Sequence, residues 1–326
     1  MKYANSYIPA LKYGAKVLPS EIANYGINTF GNVFWVDADN GADTNAGDTA
    51  ATAFKTISAA VTAATTNNND VIFLSGYSVH ELTSMLTISK NRLTFIGTGM
   101  GNRKYGQATK IHMGVTTAVT DIHAVKNIGV RNTFINIKFY NDNTLTQNTS
   151  CVGEGGEYAN YINCEFYDST RLNSATHAEI LLNGDSTLFT DCTIGSLADA
   201  VVGDVVRPRV ITTASGVASG VGTSKDVLFD GCKFWTQAGG TTSVFVKVAA
   251  DADLQRIMEF HDCQFIAAKA GSVPAVAIGS ATLTSSQILL SGDTIAVNCT
   301  KIGTATGIIN GTPARVATAT IGIQAT

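Results

Sequence analysis

One eight-residue pattern returns along most of this 326-residue chain, and a repeat of that kind restricts the fold more than any property of the whole. The segments NTFINIKF, ANYINCEF, TLFTDCTI, VLFDGCKF, MEFHDCQF and ILLSGDTI overlay on their last residues, Phe139, Phe166, Ile194, Phe234, Phe265 and Ile295. Five positions earlier stand Phe134, Tyr161, Phe189, Phe229, Phe260 and Leu290, and two positions before the end stand Ile137, Cys164, Cys192, Cys232, Cys263 and Asp293. Each unit is therefore an apolar anchor, two small or polar residues, a cysteine-like position and a second apolar anchor. That pattern suits a strand interrupted by a bend.

Successive units lie 27, 28, 40, 31 and 30 residues apart, the long interval coinciding with a Gly-, Val- and Ala-rich insertion at 195–224. A second ladder, Val152, Ile180, Ile211, Val244, Val276 and Ile308, recurs inside short alternating runs. The period exceeds that of leucine-rich repeats and has no 3.6-residue helical component, so the chain is expected to be all-β: a single-stranded parallel β-helix with about three short strands per turn. Equivalent residues should then stack at the ~4.8 Å strand spacing and fill the interior as ladders. The coil is expected over 33–310. AFKTISAAVTAAT, at 53–66, is the one convincing amphipathic helix and is read as the N-terminal cap an open solenoid end requires. Residues 1–32, rich in Tyr and Lys, are read as an attachment arm, and 311–326 as a C-terminal strand or trimer contact.

Charged residues make up only 14% of the chain, against roughly 25% in an ordinary soluble domain. So little charge suggests surfaces covered in an oligomer. With 22 basic against 25 acidic residues and no basic cluster, duplex nucleic acid is not an expected partner. No apolar run approaches a spanning helix, and the start lacks the apolar core of an export signal, so neither membrane nor secretion is indicated.

Candidate chemistry is sparse. Cys164, Cys192, Cys232 and Cys263 share one repeat position and are expected to be buried free thiols, not zinc ligands. The Asp37–Asp48 run VDADNGADTNAGD could offer oxygens to calcium, but such Asx-Gly strings also make tight turns, the preferred reading. Glu154, Glu157, Glu165, Asp168, Glu179 and Asp185 are the available carboxylates for glycoside hydrolysis, and no pair among them is singled out. Arg207 and Arg209 sit in an RPR stretch read as loop. His80, His112, His123, His177 and His261 stand at no ligand spacing. Trp35, Trp235, Tyr158 and Tyr167 could stack on sugars or serve as trimer contacts. No catalytic residue, cofactor or metal site is assigned.

The stretch from WVDADNGADTNAGDTAATAFKTISAAVTAAT through NDVIFLSGYSVHE to LTFIG resembles the opening of a widespread class of right-handed β-helix proteins. The class includes pectate-lyase-like enzymes, bacterial surface proteins, bacteriophage tailspikes and trimeric capsid decoration (cement) proteins. The resemblance implies fold and leaves function open. Low charge, the arm and the missing catalytic signature favour a non-enzymatic decoration protein: a homotrimer on the phage head, bound to the major capsid protein and assembled in the host cytoplasm. The alternative is a tailspike or polysaccharide-degrading receptor-binding protein that engages a surface glycan.

Overall fold

A computed structural model describes residues 31–326 except 77, 100–107, 115–122, 143–149, 169–175, 197–206, 213–222, 238–242, 269–273, 275, 281, 304–307, 311–314, 319–321 and 325–326. Most of the expected arm, and part of the expected C-terminal contact, lie outside the described residues. The described residues form three sheets of ten, eight and ten strands whose neighbours, apart from the first two strands of the chain and the last two, are non-consecutive in sequence, as in a parallel β-helix. We number the sheets by the order in which one coil visits them. In a representative coil the chain passes through Thr133–Ile135 in the first sheet, Lys138–Asn141 in the second and Ser150–Glu154 in the third. Among the described residues every pairing between coils is parallel, and the one antiparallel pair, Arg315–Thr318 with Gly322–Gln324, closes the C-terminal end of the second sheet.

The six-fold sequence pattern is the corner between the first and second sheets. Its turn is made by one residue in the left-handed region: Asn136, Asn163, Asp191, Gly231, Asp262 and Gly292, with φ between 50° and 64°. Asn, Asp and Gly are the types that tolerate this conformation, which is why the position immediately ahead of the column is Asn, Asp or Gly from Asn136 to Asp262. The cysteines then turn inward and are fully buried, each Sγ donating to a carbonyl of the preceding coil: Cys164 to Phe134, Cys192 to Tyr161, Cys232 to Phe189 and Cys263 to Phe229, at 3.3–3.4 Å.

On either side of this column the interior is aromatic. Phe95, Phe134, Tyr161, Phe189, Phe229 and Phe260 stack with ring centroids 4.7–5.1 Å apart, and Phe139, Phe234 and their partners in the second sheet meet them edge-on. Offset-stacked and T-shaped pairs are the favoured arrangements of ring quadrupoles, so both contribute beyond the area they bury. Interior residues of the third sheet are aliphatic: Val125, Val152, Ile180, Val210, Val246 and Ile278 lie in register.

Three sequence expectations require correction in register. In the last unit Ala296, not Ile295, faces Phe265, because Asp293 is an extra residue after the Gly292 turn. Thr294 thereby takes the cysteine slot and makes the same bond, its Oγ1 donating to the Phe260 carbonyl at 3.0 Å. The second ladder holds at Val152 and Ile180, but then runs through Val210, Val246 and Ile278 in place of Ile211, Val244 and Val276, and Ile308 belongs to the first sheet. Finally, the stretch read as an insertion contains the third-sheet strand of its own coil, Val210–Thr212.

The cap helix α1 spans Ile57–Ala63 and buries Ile57, Ala60 and Val61. Thr56 caps its N-terminus through the Ala59 N–H, and Asp43 accepts from the Lys55 and Thr56 N–H groups and the Thr56 hydroxyl. At its other end Lys90 Nζ donates to the Thr62 and Ala64 carbonyls, orphan acceptors of the last turn. Asp37 accepts from Asp39 N, Asn40 N and Asn40 Nδ2, and Asp48 from Thr52. The Asp-rich run thus serves as turns and helix caps. Gly47, at φ 73°, lies under the Phe54 ring, which a Cβ there would meet at 2.0 Å. The ring can seal the first coil only over a glycine.

Candidate functional site

Alternation along each second-sheet strand sends one residue into the core and the next to the outer wall. Ile111, Phe139 and Phe166 point in, so their neighbours point out in two columns. One column runs Lys110, Lys138, Glu165. The other runs His112, Tyr140, Tyr167. The second column is a stacked stripe: His112 to Tyr140 is 4.7 Å between ring centroids and Tyr140 to Tyr167 is 5.3 Å, with interplanar angles of 11° and 5°. Lys138 Nζ lies 5.6 Å and 5.2 Å from the centroids of the two tyrosines and 2.6 Å from Glu165 Oε1. The ammonium is therefore fixed between a carboxylate and two rings.

At the N-terminal end of the stripe His112 stands between two carboxylates. Its Nδ1 is 2.7 Å from Glu81 Oε1 and its Nε2 is 2.9 Å from Asp142 Oδ1. Glu81 is the open member, its side chain 57% exposed against 20% for Asp142 and 15% for His112. Asp142 and the Tyr140 ring hold the imidazole. Glu81 meets the solvent. An exposed carboxylate backed by an oriented imidazole can give and recover a proton, the requirement for general acid–base chemistry.

The carboxylates singled out in the sequence are scattered by the fold. Glu154 is inside the tube, fully buried, where it accepts from Asn127 Nδ2, the Gly156 N–H at 2.6 Å and the Tyr161 hydroxyl. Burial raises its pKa to about 7 against the pull of those three donors. It cannot reach a polymer outside. Glu179 is also buried, with Arg207 Nη2 at 2.7 Å and Arg209 Nη1 at 2.8 Å; both arginines are in the loop that leads into the strand Val210–Thr212, as the sequence suggested, but they are buried there as ion-pair partners. Asp185 sits at the corner between the third and first sheets, paired with Lys225 at 3.6 Å, and Glu157 adjoins it through a backbone bridge. Of these only Glu165 belongs to the wall; Asp168 ends the same strand, its backbone in register with Asn141. Of the four aromatics, Tyr167 is in the stripe and Trp235 follows on the same sheet beyond Gly195. Trp35 stacks on Phe73 on the first sheet, and Tyr158 lies under Arg131 at the third-to-first corner.

Sequence reading missed Glu81, His112 and Asp142 as a group, although a signal was present. They are separated by 31 and 30 residues, one coil each, and Tyr140 and Tyr167 by 27, the same interval as Phe139 and Phe166. Applying the repeat to polar residues as well as apolar ones would have aligned them.

This geometry defines a class: a parallel β-helix carrying a polar–aromatic wall. No protein-family model matches the chain, and no curated protein sequence matches it. Among solved structures, pectin methylesterase PemA from Erwinia chrysanthemi is similar at 13% identity and TM-score 0.56, with 91% of each chain covered. A pectin methylesterase D178A mutant in complex with a hexasaccharide is similar at 13% identity and TM-score 0.56, covering 89% of this chain and 90% of that one. A rhamnogalacturonan lyase is similar at 11% identity and TM-score 0.52, covering 82% of this chain and 74% of that one. These likenesses show the fold. They also overturn the expectation of a chain that is not an enzyme, since the structures it resembles are enzymes, and the alternative of the sequence reading becomes the one to develop.

Proposed function

We propose that this protein binds and chemically processes a polysaccharide along the outer wall of its second sheet, as a virion receptor-binding protein of the tailspike type. The observation that carries the proposal is the His112–Tyr140–Tyr167 stripe ending in the Glu81–His112–Asp142 relay. A sugar polymer presents apolar C–H faces and many hydroxyls, and a wall that alternates ring surface with fixed charges answers both. Lys138 and Glu165 supply a donor and an acceptor beside the rings, and Glu81 supplies the proton-transfer group. The virion setting, threefold assembly and attachment through residues 1–32 rest on the resemblance of residues 33–97 to tailspike-like proteins and form part of the same proposal.

The test is size-exclusion chromatography and reducing-end or ester-release assays on a panel of bacterial capsules, lipopolysaccharides and pectic polymers. Wild type is expected to modify at least one polymer, and Glu81→Gln to lower the rate by about a hundredfold or more while binding persists. Tyr167→Ala should weaken retention on the polymer. Failure of wild type to bind or alter any polymer in the panel would defeat the reading.

A further inference from the structure

The second candidate for chemistry lies on a different wall. On the outer face of the first sheet Asp230, His261 and Ser291 occupy one register column on successive coils. Ser291 Oγ donates to Glu259 Oε1 at 2.6 Å, and His261 Nδ1 is 2.9 Å from the same Oγ. His261 Nε2 in turn lies 3.5 Å from Asp262 Oδ2, with side-chain exposures of 43% and 53%. A serine hydroxyl in short contact with a carboxylate, with an imidazole on its other side and a second carboxylate near the far nitrogen of that ring, has the parts of an activated nucleophile. Glu259 is flanked in its own outward column by Leu228 and Leu289, which puts apolar surface on both sides of the group.

We infer that Ser291, Glu259 and His261 form an acyl-transfer site that removes ester-linked acyl groups from an alcohol such as a sugar hydroxyl. Ser291 Oγ forms a bond to the acyl carbon as its proton passes to Glu259 and the carbonyl π pair moves to oxygen. That oxyanion lies beside the His261 Nδ1–H, which reaches Oγ at 2.9 Å. Collapse breaks the bond to the alcohol, which leaves with the proton held by Glu259. Water then repeats the sequence on the acyl-serine, its proton going to Glu259 and returning to Ser291, so that a carboxylic acid is released. Ester and water are the only reactants. Asp262 is a positioning residue acting through the imidazole, and Leu228 and Leu289 favour a short aliphatic acyl group.

The experiment uses the full chain with an alkyl fluorophosphonate, read by intact mass and peptide mapping, and with p-nitrophenyl acetate, read by absorbance. Wild type should take one label, on Ser291, with Ser291→Ala unlabelled. Glu259→Gln should slow both reactions by about a hundredfold or more. Asp262→Asn should shift the pH profile of ester hydrolysis while leaving the melting temperature in place, a change a merely structural role would not produce. Glu81→Gln on the second sheet should leave labelling unchanged, so the polysaccharide reading and this one can fail separately. Labelling of wild type no faster than of Ser291→Ala, or ester hydrolysis undiminished in Ser291→Ala, would overturn the assignment.

Discussion

A carboxyl group sealed inside an apolar tube must either give up its charge or receive donors from the protein, and Glu154 does some of each. Burial is the larger influence and lifts its pKa from the usual 4.5 to about 7; hydrogen bonds from Tyr161, Asn127 and Gly156 hold it from rising further. The folded state therefore keeps a proton that the unfolded chain releases near its ordinary value. Stability from this group is fully present below about pH 4.5 and is lost as pH rises to about 7, by about 3 kcal/mol over the shift. Glu154→Gln mimics the protonated form. Relative to wild type it should be near neutral at about pH 4.5 and more stable by about 2–3 kcal/mol at about pH 8, read from urea midpoints. An equal difference at both pH values would show that Glu154 does not titrate in this window. Burial pushes the Cys192 and Cys263 thiols up and takes Cys299 to about 12, whereas at Cys232 the upward push of burial is outweighed by hydrogen bonds with Cys192 and Cys263, which bring it down to about 5; because all six free thiols are buried, lack of access should keep them from a disulfide reagent until the chain unfolds.

At the level of the element, the unit is a corner, and its left-handed residue decides whether the two strands can meet. Asn163, at φ 51°, donates from Nδ2 to Asn136 Oδ1 at 2.7 Å, so the turn is joined to the coil before it. Asn163→Ala removes that bond and puts a Cβ residue without a compensating side chain into the left-handed region, an expected loss of about 1–3 kcal/mol. Asn163→Gly should cost less because the strain is absent. Equal losses in the two variants, measured by denaturant midpoints, would mean that the turn is not strained. This corner was legible in the sequence because turn chemistry and core packing repeat together within eight residues. The third-sheet strands were only half legible: Ile180 and Leu182 face the core while Leu181 is also buried, so alternation there gives no contrast between faces and the register slipped by one or two residues. Thr294 was missed for another reason. A hydroxyl can make the carbonyl bond that a thiol makes in that slot, and residue type alone did not reveal the equivalence. The candidate site was the least legible, since Glu81, His112 and Asp142 converge only once coils are stacked in register.

For the whole molecule, each coil is stabilised almost entirely by its two neighbours, the condition under which a solenoid behaves as a one-dimensional chain of coupled units. Coupling is carried by the strand ladders, by the cysteine-to-carbonyl bonds and by the continuous aromatic stack. Phe189 is the midpoint of that stack, with ring centroids 5.0 Å from Tyr161 and 4.7 Å from Phe229 and an edge contact to Phe166 at 6.0 Å. It is fully buried. Phe189→Ala removes both stacked faces at once and leaves a void of ring size, a loss of about 3–5 kcal/mol. In a compact domain that loss would lower one cooperative transition. In a solenoid it falls on one interface, so the coils before and after it should come apart as separate units. Hydrogen exchange under native conditions is the measurement that distinguishes the two. The strands Asn160–Ile162 and Leu188–Thr190 should lose protection first, and under increasing urea the coils N-terminal to Phe189, held by α1, should outlast those beyond it. Uniform loss of protection along the chain would mean that the coils melt as one body. The same logic separates the two walls: Glu81 and Ser291 lie toward opposite ends of the rod, so a break at Phe189 should reduce chemistry at Ser291 at urea concentrations where the Glu81 wall still binds.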